Sequence, residues 1–372
     1  MAWAVTGHEA IRTLFGDPRV SKDPQRHWPA YMSGQIPEDW PLHIWVSVDN
    51  MLTAYGTEHR RLRSLVSRAF TVRRVAALRP WVREMTEGLV DKLAALPPGQ
   101  PADLRELLAK PLPTMVICHL FGVPEPIRPR LAAAIDGIFR TTATPADSLA
   151  NQQELYSIFT ALVAQRREQP GDDLTSALIA VREDDGSKLT EKELVDTLIL
   201  LVGAGHETTM NLIDLAITAL LTHPEQLALV KSGEVSWVDV IDETMRWQAP
   251  VANLPLRYAL EDIDLTDEIT IRKGDAILAS FAAAGRDKSI YGETADRYDV
   301  TRERKTHLSF GHGVHYCLGV SLAKLETEVA LSTLFDRFPG AGLAVAESEL
   351  AQVESFVSNG HQALPVYLHG RP

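Results

Sequence analysis

Cys317 has the most distinctive surroundings of any residue able to do chemistry. It stands in Phe310-Gly311-His312-Gly313-Val314-His315-Tyr316-Cys317-Leu318-Gly319, just before a helical pattern running from Val320 to Phe335. A cysteine at a loop-to-helix junction meets unpaired amides and the positive end of a helix dipole, and both favour the thiolate over the thiol. A thiolate is an iron ligand that pushes electron density onto the metal. Gly313 and Gly319 are expected to let the backbone turn tightly, with the amides of Leu318 and Gly319 bonded to the sulfur and tuning its donation. An isolated free cysteine is more often a small buried hydrophobe. That plainer reading holds for Cys118, inside Thr114-Met115-Val116-Ile117-Cys118.

A second group of reactive side chains sits in Ala204-Gly205-His206-Glu207-Thr208-Thr209, within an otherwise apolar stretch. Polar residues in a buried helix centre need partners or a task. An acid followed by a hydroxyl can pass protons to oxygen undergoing reduction, and Ala204 and Gly205 leave room for a small ligand and for local loosening of the helix. The alternative is hydroxyl back-bonding within the helix. A third feature is Glu243-Thr244-Met245-Arg246, with Arg246 one turn from Glu243. Its spacing also occurs at Glu9/Arg12, Glu58/Arg61 and Glu125/Arg128, which read as ordinary solvated pairs.

These groups must be held by a mainly helical chain. Of its 372 residues 45% are hydrophobic, enough for a sizeable core, so the length allows two average domains or one large one built around a cofactor. Helical periodicity is broken at Pro97, Pro98, Gly99 and Pro101, and again around Pro124, Pro126, Pro129, Pro170 and Gly171. The best-defined helix runs from about Glu191 to Thr222, opened by a Thr190/Glu193 capping box and followed by Pro224. Residues 252 to 282 and Leu364 to Leu368 read as short strands. No linker separates domains, so 1–372 is read as a single domain.

The apolar run Leu194 to Gly205 contains Asp196 and is too short to span a membrane. The segment after Met1 lacks the pattern of an export signal, which points to a cytoplasmic protein. With two cysteines, at most one disulfide is possible and a cysteine-rich metal framework is not. The formal net charge of -12 argues against nucleic acid as the main partner.

The cysteine segment resembles the haem-binding loop of the cytochrome P-450 family, matching at Phe310, Gly313, His315, Cys317 and Gly319. The resemblance runs from about Ala2 to the C-terminus, starting at what corresponds to the family's second strand, shorter at the N-terminus than is typical. It implies the cytochrome P-450 fold, mainly α with a small β region, with haem between the long central helix and the cysteine-loop helix. It further implies heme b (iron protoporphyrin IX) ligated by Cys317, and oxygen activation by Glu207 and Thr208. Residues matching the family's cofactor-binding positions are His59, Arg63, Ala204, Gly205, Arg257, Ser309, Phe310, Gly311, Gly313, His315 and Gly319, the basic ones as partners of the propionates. Glu243 and Arg246 are implied as a structural pair, joined by Arg297. Gly285, where the family often has asparagine, is read as neutral.

The activity so implied is monooxygenation of a hydrophobic small molecule, in secondary metabolism, with dioxygen and electrons from a ferredoxin or similar iron-sulfur donor and its NAD(P)H reductase. Val251 to Leu254 and Ser355 to Val357 are expected to face the substrate, with Val20 to Leu52 as a lid. A basic stripe of Arg60, Arg61, Arg68, Arg73 and Arg74 reads equally as a solvated helix face or a docking site for an acidic donor. Two rivals remain at this stage, a peroxide-driven peroxygenase and a non-catalytic haem-thiolate binding protein.

Overall fold

The central helix forms over Glu191–Thr222, and the Thr190/Glu193 capping box closes in both directions. The computed structural model describes residues 2–40, 42–140, 142–182 and 186–370. At about 1.5 Å per residue this helix is about 48 Å long. Its middle is apolar on almost every side, so other helices must surround it.

Twelve helices of six or more residues occur among the described residues. They are α1 (His8–Gly16), α2 (Gly56–Ala69), α3 (Val72–Ala77), α4 (Arg79–Ala94), α5 (Pro111–Leu120), α6 (Arg128–Ile138), α7 (Pro145–Glu168), α8 (Leu174–Ala180), α9 (Glu191–Thr222), α10 (Pro224–Lys231), α11 (Trp237–Trp247) and α12 (Val320–Arg337). Helices α5, α6, α7, α11 and α12 all pack on α9. The expected mainly helical body is therefore present, and the helix after Cys317 lies directly against the central one.

The strands are β1 (Ala2–Val5), β2 (Val20–Ser21), β3 (Ala102–Asp103), β4 (Asn253–Ala259), β5 (Ile263–Asp264), β6 (Thr270–Ile271), β7 (Ala276–Ser280), β8 (Gly342–Leu343) and β9 (Pro365–Tyr367). They build a four-stranded sheet β1-β7-β4-β2, a three-stranded sheet β3-β9-β8 and the pair β5-β6. β1 runs parallel to β7, and the other pairings are antiparallel. A small second core between α1 and the larger sheet contains Ile11, Leu14, Phe15, Ile277, Phe281 and Leu308. The main helical core has Phe310 and Leu318 packed against it. The cysteine loop is thus braced by both.

Glu243 and Arg246 are fully buried and doubly bonded, at 2.8 and 2.7 Å. Arg246 donates further to the carbonyls of Gly285, Ala295 and Arg297. The expectation that the Arg297 side chain completes this pair is corrected. Arg297 enters through its backbone carbonyl, and the guanidinium that reaches Glu243 is that of Arg302, at 3.4 Å. The reading of Gly285 as neutral is corrected as well, because a Cβ there would lie 1.8 Å from the Arg246 carbonyl oxygen. The glycine lets two backbones touch at the point where Arg246 is anchored.

Glu326 on α12 is fully buried, and neither carboxylate oxygen has a hydrogen-bond partner among the described residues. Burial raises its pKa well above the usual carboxylic range, so the side chain is held neutral. A carboxyl with a raised folded pKa supports the fold at low pH and loses that support as pH rises through the raised value. Glu326→Met is therefore expected to stabilise the protein by about 1–3 kcal/mol. The gain should widen as pH rises above the ordinary carboxylic range, and melting temperatures of both proteins from acidic to alkaline pH measure it. A constant gap would contradict the account of Glu326.

Cys118 is also buried, which pushes its thiol up to about 11 and leaves it inert. Among the described residues no helix is long and apolar enough to cross a membrane.

Candidate functional site

The loop before Cys317 folds through short-range bonds. Gly311 N donates to the Leu308 carbonyl at 2.7 Å, and Cys317 N donates back to the Phe310 carbonyl at 2.8 Å. Gly313 is required here: its φ is +72°, and a Cβ would stand 2.5 Å from the Phe15 carbonyl of α1. Gly319 instead has φ -85°, open to any residue, so its expected role in turning the chain is not seen. The amides hydrogen-bonded to the sulfur belong to Gly319 and Val320, one residue beyond the expected Leu318 and Gly319. Burial raises the Cys317 pKa, while these amides and the Arg63 guanidinium oppose the rise. A bound cation at the sulfur would reverse the balance in favour of thiolate.

Cys317 opens into a cavity whose facing wall is the middle of α9, with Leu200, Leu201, Ala204, Gly205, Thr208 and Thr209. Of the expected residues, Arg63, Arg257, Ser309, Phe310, Gly311, His315 and Gly319 also line it. His59, Glu207 and Gly313 do not: His59 lies behind His315, the two rings tilted by 51° with centroids 4.1 Å apart, and Gly313 faces α1. Ser309 donates its hydroxyl to the Met245 carbonyl at 2.5 Å, tying the loop to α11.

Basic groups gather along one edge of this cavity. Arg257 is buried with its guanidinium 3.5 Å from the Phe15 ring centre, its Nε has no partner among the described residues, and burial brings its pKa down to about 9. Burial lowers His59 to about 4, with Arg63 and Arg60 adding to the shift. His315 is lowered strongly, first by burial and then by Lys22, His59, Arg257 and Arg63. Lys22, just after β2, was not anticipated from the sequence. It is buried in the cavity wall, and burial together with Arg257 lowers its pKa well below the usual value. No aspartate or glutamate lines the cavity among the described residues. Buried cations without counter-charge are costly, so this edge is fitted to receive anionic groups, and two carboxylates of a flat ligand would satisfy it.

The α9 residues divide between two faces. The Thr208 hydroxyl faces the cavity and donates to the Ala204 carbonyl at 2.6 Å, so the back-bonded geometry and the cavity position coexist. Glu207 points away, accepting from Asn211 Nδ2 at 3.0 Å. Burial raises its pKa against the pull of Arg105 and Asn211. Asn211 in turn accepts from Arg105 at 2.9 Å, and Arg105 pairs with Asp214 at 3.1 Å.

Val251 and Leu254 line the cavity as expected, and so do Met51 and Leu52 at the end of the lid segment. Ser355 to Val357 do not. The Val357 carbonyl accepts from Ala252 N at 2.8 Å, so this segment backs the 250–254 wall from behind.

The family model for cytochrome P450 matches residues 14–169, 161–231 and 238–340. The 2-hydroxy-5-methyl-1-naphthoate 7-hydroxylase of Streptomyces carzinostaticus is 44% identical over 371 residues, covering 100% of this chain and 90% of that protein. The cytochrome P450 monooxygenase PikC of Streptomyces venezuelae is 38% identical, covering 98% and 84%. Among solved structures, CYP154A1 from Streptomyces coelicolor A3(2) superposes with a TM-score of 0.93 at 52% identity, covering 99% of this chain and 92% of that one.

Proposed function

The chain belongs to the cytochrome P450 family and is a monooxygenase that uses haem, dioxygen and electrons from redox partners, and from that premise we propose how its own residues serve that chemistry. The cofactor is heme b, ligated by the Cys317 sulfur. When bound, it supplies the activation of dioxygen: one oxygen atom enters the substrate and the other leaves as water, with two electrons from the donor and two protons. Supporting this reading most directly is the acid-free edge of basic groups beside the cysteine loop, a fit for two propionates.

Arg63, Arg257, His315 and Lys22 hold those carboxylates, and His59 supports His315 from behind. Ala204 and Gly205 keep the α9 wall low over the cysteine side. The Thr208 hydroxyl, turned to the cavity, delivers a proton at Oγ1. Glu207, whose pKa burial raises, is the store behind it. Glu243, Arg246 and Arg302 hold the cysteine loop's supporting segment in place.

Lys22→Met tests the added propionate partner. A hydrogen bond to a charged group contributes about 1.5–3 kcal/mol, so haem should leave this variant for an acceptor apoprotein roughly 10- to 100-fold faster. Folding should be unharmed, since a buried cation has been removed. An unchanged rate of haem loss would remove Lys22 from the set.

The substrate is an apolar, largely rigid molecule. Met51, Leu52, Leu200, Leu201, Val251 and Leu254 give its side of the cavity no charge to recognise. Similar proteins carry names that specify a methylnaphthoate, vitamin D3 and 6-deoxyerythronolide B, all dominated by hydrocarbon. Optical titration of the haem protein with aromatic acids, steroids and polyketide lactones, followed by product analysis, tests the class. Loss of the iron-bound water signal is expected with some of these. A response confined to small polar compounds would contradict it.

Electrons come from an acidic ferredoxin-type donor with its NAD(P)H reductase. Helix α3 packs on α12, which places the arginine-rich segment beside the cysteine loop, and Arg63 bonds the Tyr316 carbonyl there. Arg61 is engaged by Glu58 and Glu193, Arg68 bonds the Arg182 carbonyl and Arg74 lies 3.6 Å from Asp172. Reversing Arg68 and Arg73 to Glu should slow electron delivery at low salt and flatten its salt dependence, leaving substrate affinity unchanged. Stopped-flow reduction measures this, and equal rates would return the stripe to a solvated face.

A further inference from the structure

Behind α9, on the side turned away from the cavity, three side chains converge whose joint chemistry the monooxygenase reading does not use. One ring nitrogen of His206 and one carboxylate oxygen from each of Asp136 and Glu207 lie within 4.8 Å of one another. His206 is fully buried: its Nε2 faces the Thr114 hydroxyl at 2.8 Å, while its Nδ1 has no partner among the described residues. Asp136, on α6, is 30% exposed and gives the group a path to solvent. A buried imidazole with one nitrogen unpartnered, next to two carboxyls, is a costly arrangement unless something binds there.

We propose that Asp136, His206 and Glu207 form a binding site for a divalent transition metal of the Zn2+ class, with water in the remaining position. One imidazole and two carboxylates are a donor set such ions accept. Three atoms no more than 4.8 Å apart share a point within about 2.8 Å of each. Zinc bonds to nitrogen and oxygen are about 2.0–2.2 Å long, so each ligand must close in by only about 0.7 Å. Burial brings His206 down to about 4, which keeps a lone pair free at neutral pH.

Two cations set the limit on affinity. Lys110 Nζ stands 3.0 Å from Asp136, and Arg105 acts on Glu207 from the other side. The ion would be held through carboxylate oxygens of Asp136 and Glu207 and a neutral imidazole, the ligand forms such ions require. Its consequence rests on the role of Glu207 proposed above: a bound ion would hold that carboxyl ionised and withdraw it as a proton store.

The test is calorimetric titration of the haem-loaded protein, in which the Cys317 sulfur is occupied, with zinc chloride and, in parallel, magnesium chloride. One zinc equivalent per chain is expected that His206→Gln and Asp136→Asn each weaken at least roughly 10-fold, that Lys110→Met tightens, and that magnesium does not replace. Equal zinc binding by wild type and His206→Gln overturns the site. A turnover arm separates the two claims. Zinc should slow wild type and spare His206→Gln. If zinc binds through His206 without slowing wild type, the site stands and the relay role of Glu207 falls.

Discussion

Thr208→Ala should bind substrate and load haem almost as the wild type does, yet waste most of the reducing equivalents it consumes. Among the described residues the hydroxyl makes one bond, to the Ala204 carbonyl at 2.6 Å, and losing it costs only about 1 kcal/mol. Its place in the cavity wall facing the cysteine side is what gives it effect. Without a proton donor at that point, electrons still enter and oxygen is still reduced, but it leaves as hydrogen peroxide. Product formed per NAD(P)H should fall by an order of magnitude or more, in keeping with the roughly 100-fold or greater contribution of a placed proton donor. Glu207→Gln should act differently, slowing the whole cycle, if Glu207, behind the helix, feeds the relay as proposed. Wild-type coupling in Thr208→Ala with a well-bound substrate would mean that protons reach the oxygen by another path.

The sequence made some of this legible and hid the rest for physical reasons. The central helix announces itself through local chemistry: its capping box, its apolar middle and Pro224 all lie within a few residues of the features they set. The cysteine loop is equally local, since Gly313 is demanded by a positive φ within the motif itself. Lys22 had no such signal. A lone lysine after a two-residue strand looks solvated, and only the packing of distant segments around Arg257 buries it. Arg302 was hidden among Arg302, Arg304 and Lys305, where spacing does not say which cation turns inward to Glu243. Gly285 was read against a family habit, whereas its requirement comes from a backbone 39 residues away. Glu207 and Thr208 are neighbours in sequence, but the turn of the helix sends one into the cavity and the other to a polar network behind it.

Replacing the sulfur is expected to have the largest effect of all. Cys317→Ser keeps the loop geometry, because the bonds that shape it are made by backbone groups of Leu308, Phe310 and Cys317. It removes the only side chain at that position able to donate strongly to iron, since a serine hydroxyl is far less readily ionised than a thiol. Monooxygenase activity should vanish. Cys118→Ser, in a buried packing site that does not line the cavity, should cost some stability and leave the spectrum untouched. The most direct measurement is the absorption spectrum of the reduced, carbon-monoxide-bound protein. Wild type and Cys118→Ser should show the strongly red-shifted Soret band of thiolate ligation, and Cys317→Ser should lack it. Retention of that band in Cys317→Ser would contradict the assignment of Cys317 as the iron ligand.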